Sequence, residues 1–207
     1  HLFRKLNANQ RTVLHLHHTY SGFLGRIIGF FHPKIKLVTT IHTDITKLTI
    51  NQKALYFSSL FLSNRIICNS KFTYNSIPKI LRICISSSTF SIIYNGVDFD
   101  RINNNKTVKN LGENFIIGHV GRLEEMKNQE MLIKAFHIFS KKVPNSLLII
   151  AGDGKLSGRL NQVVKELEVH DKVQLVGMLD RDEIYKLLHQ FDVFVMPSKY
   201  EGFCNAL

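Results

Sequence analysis

The sequence predicts an α/β chain built as two doubly wound, parallel-sheet domains. Three observations lead there. Short apolar runs rich in branched residues and bounded by Gly, Pro or Asp recur along the 207 residues, helix-spaced apolar stripes fill the gaps between them, and a polar, Asn-rich stretch over 95–114 separates two such series. Strand and helix in regular alternation is the order of a parallel sheet covered on both faces.

Taken along the chain, the first series has strands over "TVLHLHH" (12–18), "IKLVTTIH" (35–42), "NRIICNS" (64–70) and "TFSIIYN" (89–95). Helices are expected near 22–31, 51–63 and 71–84, the last interrupted by Pro78, whose ring removes a donor and crowds the preceding turn. The second series is cleaner, with strands over 114–120, 146–152, 172–177 and 192–198. Leu132, Ala135, Phe136, Phe139 and Val143 form one helical stripe; Leu156, Leu160, Val163, Val164 and Leu167 form the next. Ile184, Leu187, Leu188 and Phe191 form a third, opened by an Asp180/Glu183 capping box. The predicted division is 1–110, an amino-terminal domain with its linker, and 111–207, a carboxyl-terminal domain.

The composition, 44% hydrophobic and 21% charged, is that of a globular chain with a core to bury. No apolar run is long enough for a membrane span: "GFLGRIIGFF" (22–31) is short and contains Arg26. Cys68, Cys84 and Cys204 are odd in number and lack zinc-like spacing, so reduced thiols in the core are expected rather than a disulfide frame. The net charge of +11 is unevenly shared. Residues 1–110 hold 15 Lys or Arg against Asp44, Asp98 and Asp100, a balance of +12, and residues 111–207 hold 12 against 13, a balance of −1. Such asymmetry suits one half that faces an anionic partner, and equally a solvated basic surface.

Chemistry concentrates in "GHVGRLEEMKNQEMLIKAF" (118–136). A strand ends at Gly121, Arg122 and Lys127 follow in the loop, and Asn128 stands where it could cap the next helix. A guanidinium, an ammonium and helix N–H groups at the carboxyl edge of a parallel sheet suit a diphosphate. Spacing alone leaves this level with an ordinary solvated loop. "AGDGKLSG" (151–158) matches neither the dinucleotide fingerprint nor the Walker loop and reads as a tight glycine turn lining a site. His15 and His17 share a strand face, with His18 and His42 as neighbours in sequence pattern, but no carboxylate or Cys completes a metal set. His42 ends its strand at the ligand-facing edge, where a capping or solvated His is the plain alternative.

Five segments in register, "IIYNGVD", "HVGRLEEMKNQEMLIKAF", "LLIIAGDG", "VQLVGML" and "FVMPSKYEGFCNAL", resemble the retaining family 4 glycosyltransferases. The likeness is strong over residues 89–207 and weaker in "HLHHTYSGFLGR" and "TTIHTD". It implies the GT-B fold of two Rossmann-like domains, both incomplete here. It also implies that Arg122 and Lys127 grip the donor diphosphate, that Glu201 contacts the donor sugar, and that Gly202, Phe203, Cys204 and Asn205 offer backbone N–H groups to sugar and phosphate. Cys204 stands where the family has Gly or Pro. His42 matches a cleft histidine near the transferred sugar, and Asn95 to Asp98 match the passage between domains.

The resemblance further implies a hexosyl transfer from a nucleotide-diphosphate sugar to a glycan or lipid-linked acceptor, without metal or other cofactor, in surface polysaccharide or lipopolysaccharide assembly. The location implied is cytoplasmic, peripheral to an anionic membrane met through the basic first half, with Phe23, Phe30 and Phe31 flanking Arg26; no nucleic acid is expected. The rival readings are a GT-B nucleotide-sugar epimerase and a non-catalytic basic module that binds nucleotides or nucleic acid. With no initiator Met before His1 and a stop at Leu207 inside the donor-sugar motif, the sequence is expected to be a fragment truncated at both ends and inactive alone.

Overall fold

The computed structural model describes residues 12–17, 19–32, 34–108, 112–199 and 201. The chain divides after Gly96 into two compact units, each with its own sheet.

In the first unit β1 (Thr12–Leu16), β2 (Ile35–Ile41), β3 (Arg65–Cys68) and β4 (Phe90–Ile92) pair in parallel in the order β1-β2-β3-β4. Helix α1 (Thr19–Phe31) joins the first two strands, and Gly25 and Gly29 bring it close to the sheet. A Cβ at Gly25 would lie 2.6 Å from a Leu16 methyl, and one at Gly29 2.7 Å from a Leu37 methyl. Helix α2 (Ile50–Leu60) opens on a Thr49/Gln52 capping box, which satisfies two end donors reciprocally. Pro78 does divide the next helix, into α3 (Lys71–Ser76), capped by Ser70, and α4 (Lys79–Cys84). Ile77, before the proline, is extended, as steric contact with the ring requires. The core gathers Ile41, Ile45, Tyr56, Leu60, Ile66 and Cys68.

Three expectations change here. Cys68 is buried, and burial pushes its thiol up to about 12, whereas Cys84 is exposed on α4 rather than in the core. Val13 and His15 of β1 are exposed, so this strand alternates as a half-covered one does. Arg26 is 2% exposed, beneath α1 rather than on its outer face. Its Nη2 donates to Thr39 Oγ1 at 3.5 Å while Nε and Nη1 have no partner, and burial pushes the guanidinium down to about 10.

The second unit is ordered β7-β6-β5-β8, again parallel, from β5 (Phe115–Val120), β6 (Ser146–Ala151), β7 (Val173–Gly177) and β8 (Val193–Phe194). Strand β6 is buried almost throughout, the pattern of a parallel strand covered on both faces. Helices α6 (Gln129–Lys142), α7 (Ser157–Glu166) and α8 (Arg181–Leu188) are its crossovers. Ile133, Leu148 and Leu160 are wholly buried in the core, each worth about 1.5–3 kcal/mol of transfer from water. The buried stripe of α6 is Gln129, Leu132, Ile133, Phe136 and Ser140; the expected Ala135 is exposed. Strand β8 keeps two residues of the predicted seven, because the chain leaves the ladder before Pro197.

The stretch read as a linker holds a helix, α5 (Phe99–Asn104), capped by Asp98. Polar bonds tie it to α8, which is why apolar periodicity missed it. Arg101 Nε donates to Asp182 Oδ1 at 2.6 Å, Asn105 Nδ2 donates to the same oxygen at 3.2 Å, and Gln190 Nε2 donates to Thr107 Oγ1 at 2.9 Å. The Asp180/Glu183 capping box forms as expected, with bonds of 2.8 Å each way.

Two stability predictions follow from these contacts. Asp180→Ala removes the cap of α8 and lowers unfolding free energy by about 1 kcal/mol, read as a drop in urea midpoint at constant slope. The Arg101 hydrogen bond holds Asp182 below the usual carboxylate range, and Lys134, then Arg159, do the same for Glu130. A folded-state value below the unfolded one gives stability that is complete above about pH 5 and is lost as pH falls through the unfolded and then the folded value. Asp182→Asn therefore flattens the acid limb of the thermal midpoint profile between about pH 5 and 2 while leaving its shape above pH 5 unchanged.

Candidate functional site

The carboxyl ends of three strands lie in register. Val120 pairs with Ala151, and Ala151 with Gly177, so the loops that follow β5, β6 and β7 leave the sheet at one edge. Gly121 N donates to Ala151 O at 2.9 Å and Gly152 N to Gly177 O at 2.7 Å, extending that alignment one residue past the strands. In an open parallel sheet this edge is where loops and helix ends converge on ligands.

Gly152 is the closest point. Its φ of +138° is a conformation side chains rarely adopt, and a Cβ there would sit 2.0 Å from the Gly121 carbonyl oxygen. The expectation of a tight turn that needs glycine is met. Between these loops lies a slot of about 200 Å³, lined by Gly121, Arg122, Gly152, Asp153, Met178 and Leu179 among others. Its lining is mainly apolar. Met178 and Leu179 were not singled out in the sequence; the strand order that puts the end of β7 beside Gly152 is the signal that finds them.

Arg122 and Lys127 both lie in the loop after β5. The Arg122 side chain is 73% exposed, and its Nη1 donates to Glu124 Oε1 at 3.1 Å. Lys127 ends a 3-10 turn over Glu125–Lys127, and its Cε passes 3.6 Å from the Cβ position of Gly121, beside the strand end. One solvated guanidinium and one ammonium drawn in toward the sheet edge are groups of the kind that hold anions.

Asn128 does not cap α6. It is left-handed, with φ 56° and ψ 34°, and its side chain makes no cap bond; Nδ2 donates instead to Pro197 O at 3.3 Å. Asn tolerates that conformation better than other side chains, and here it turns the chain from the 3-10 turn into the helix. Lys199 N donates to Met126 O at 2.9 Å, so the segment leading toward Glu201 is tied to the Arg122–Lys127 loop. Glu201 itself is half-buried. Gly202, Phe203, Cys204 and Asn205 lie outside the described residues.

In the first unit His42, just past β2, joins His15 of β1 and His17, which lies just past that strand. His17 Nδ1 and His42 Nε2 share a hydrogen bond of 2.9 Å, the His15 and His17 rings lie 4.1 Å apart, and His15 Nε2 bonds Thr40 Oγ1 at 2.7 Å. Burial, then the neighbouring His17, lowers the His15 value. His18 lies outside the described residues. Among the described residues no group of three or more His, Cys, Asp or Glu is arranged to hold a metal ion.

Residues 100–207 match the family model described as Glycosyl transferases group 1, and residues 1–101 match Glycosyltransferase Family 4. The chain is 27% identical over its whole length to the Escherichia coli UDP-Gal:alpha-D-GlcNAc-diphosphoundecaprenol alpha-1,3-galactosyltransferase, of which it spans 57%. It is 33% identical over 59% of its length to the Campylobacter jejuni N-acetylgalactosamine-N,N'-diacetylbacillosaminyl-diphospho-undecaprenol 4-alpha-N-acetylgalactosaminyltransferase, of which it spans 32%. Among solved structures, Anabaena HepE in complex with UDP and glucose superposes with a TM-score of 0.78 at 22% identity, over 92% of this chain and 54% of that one. The chain thus spans little more than half of these relatives at most. Its two parallel-sheet units have the GT-B fold of such neighbours, and the chain belongs to the glycosyl transferases group 1 family.

Proposed function

We propose that the protein to which this chain belongs is a retaining glycosyltransferase that moves a hexosyl group from a nucleotide-diphosphate sugar to a glycan or lipid-linked acceptor in bacterial surface polysaccharide or lipopolysaccharide assembly. The observation that carries this is the loop of Arg122 and Lys127 at the sheet edge beside the Gly152 slot, in a chain of this family. The slot takes the base or ribose, and the two cations take the diphosphate. Similarity to named enzymes that act on diphosphoundecaprenol-linked sugars supports the acceptor class.

Charge dictates the chemistry. Breaking the bond between the anomeric carbon and the diphosphate oxygen leaves negative charge on phosphate and oxocarbenium character on the sugar. Arg122 and Lys127 balance the first, so the reaction is proposed to need no metal. The acceptor hydroxyl attacks from the face that the diphosphate leaves, a phosphate oxygen takes its proton, and configuration is retained. Glu201 is assigned to the donor sugar, with the backbone of Gly202 to Asn205; His42 is assigned to the transferred sugar.

The basic first half is proposed to face an anionic membrane. With Arg26 buried, the outward face of α1 is Leu24, Ile27, Phe30 and Phe31, of which Phe30 is 67% and Phe31 71% exposed. Among the described residues no helix is long and apolar enough to cross a membrane, so contact through this face would be interfacial.

Nucleoside diphosphates raise the thermal midpoint of the full chain, by an amount equivalent to about 2.7 kcal/mol at a hundredfold excess over the dissociation constant, and a screen of uridine, guanosine and adenosine forms identifies the base. Arg122→Ala and Lys127→Ala each weaken that binding by about tenfold or more, and EDTA leaves it unchanged. Failure of all three nucleotides to stabilise the chain removes the donor reading. Gly152→Ala abolishes nucleotide stabilisation and lowers the midpoint of the free protein, because the new methyl meets the Gly121 carbonyl. On anionic liposomes the full chain floats and is released by salt; Phe30→Ser/Phe31→Ser reduces flotation, and no flotation at low salt removes the membrane reading.

A further inference from the structure

The loop that presents Arg122 is held from below by two buried polar side chains. His119 lies on β5 and Gln129 is the first residue of α6, and both have 0% exposure. His119 Nδ1 is 2.9 Å from Val195 O, Gln129 Nε2 is 3.3 Å from His119 Nε2, and Gln129 Nε2 is 2.8 Å from Arg122 O.

The chemistry of these atoms fixes the protons. A carbonyl oxygen only accepts, so His119 Nδ1 carries hydrogen and donates to Val195. The neutral ring then leaves Nε2 as an acceptor, and Gln129 supplies one amide hydrogen to it. The other amide hydrogen goes to the Arg122 carbonyl. Turning the Gln129 amide over would set its oxygen against both acceptors, so neutral His119 and this amide orientation require each other. The cost is visible: Gln129 Oε1 is buried with no partner. Leaving a buried acceptor unmade is costly, and a helix start could avoid it with an apolar residue here. The arrangement keeps the one bond that reaches the Arg122 backbone.

We propose that Gln129, oriented by His119, is a positioning residue for the donor diphosphate: its amide holds the Arg122 carbonyl and so sets the point from which the Arg122 guanidinium meets the phosphates. This rests on the diphosphate reading of Arg122. The side chain above is solvated and long, and what the protein can preset is where its backbone starts. The same His119 bonds the chain just after β8, so the loop of Arg122 and the segment leading to Pro197 are referred to one buried ring.

The test is a double-mutant cycle in the full chain, read as the dissociation constant for uridine diphosphate by titration calorimetry, with thermal midpoints recorded for every variant. Gln129→Met is expected to weaken binding about tenfold, since small displacements of a positioned group are costly. In the Arg122→Ala background the same change is expected to have an effect of less than about twofold, because Gln129 acts only through that guanidinium. Gln129→Leu repeats the cycle if the Met variant folds poorly. Additive losses, or wild-type affinity in Gln129→Met, would overturn the positioning role while leaving the diphosphate site standing. Wild-type affinity in Arg122→Ala overturns both.

Discussion

The pairing of β5 with β6 on one side and β8 on the other governs the second unit. Because that ladder is parallel, every loop after a strand leaves at the same edge, and register places Val120, Ala151 and Gly177 side by side. The site is then largely a consequence of backbone. Gly152 approaches the Gly121 carbonyl because no side chain intervenes, Leu123 N reaches Asp153 O at 3.0 Å, and Leu156 N reaches Leu123 O at 3.1 Å. These bonds lace the loop of Arg122 to the loop of Gly152. A slot with such walls can recognise a ring by shape while the charged chemistry is left to side chains at its rim.

Two arginines show how placement decides what a charge can do. Arg26 is enclosed, with two donors unmet, so its guanidinium cannot make direct contact with an anion at the surface. Arg122 is largely in solvent and keeps its full reach, with Glu124 as a weak exposed partner that a diphosphate could displace. The basic balance of residues 1–110 is thus not a simple measure of surface potential. What remains on the outside of α1 is apolar, and the cationic contribution to any membrane contact must come from elements other than the centre of that helix.

Much of the fold was legible because its signals are local. Alternating apolar runs and helical stripes located the strands to within a few residues, Pro78 divided a helix, and the Asp180/Glu183 box formed where the spacing put it. Helix α5 was not legible, since the partner of its Arg101 is Asp182, 81 residues away, and polar pairing leaves no period. Asn128 was misread for a related reason: the residue types that cap helices are also those that tolerate left-handed turns, and only the backbone decides between them. At the site, Arg122, Lys127 and the Gly152 turn were visible as loop chemistry after predicted strands. Met178 needed the strand order, and His119 and Gln129 look in sequence like ordinary core positions.

Burying an imidazole and an amide beneath the Arg122 loop has a physical rationale in preorganisation. A flexible cation meeting a diphosphate loses side-chain freedom on binding, and a loose backbone would add its own ordering to that loss. An apolar support could pack the loop but not fix its rotation, because dispersion contacts are nearly insensitive to direction. A hydrogen bond to the Arg122 carbonyl is directional, and it is strongest where water is excluded. The neutral His119 gives the Gln129 amide a single workable orientation, so the direction of that bond is set before any ligand arrives.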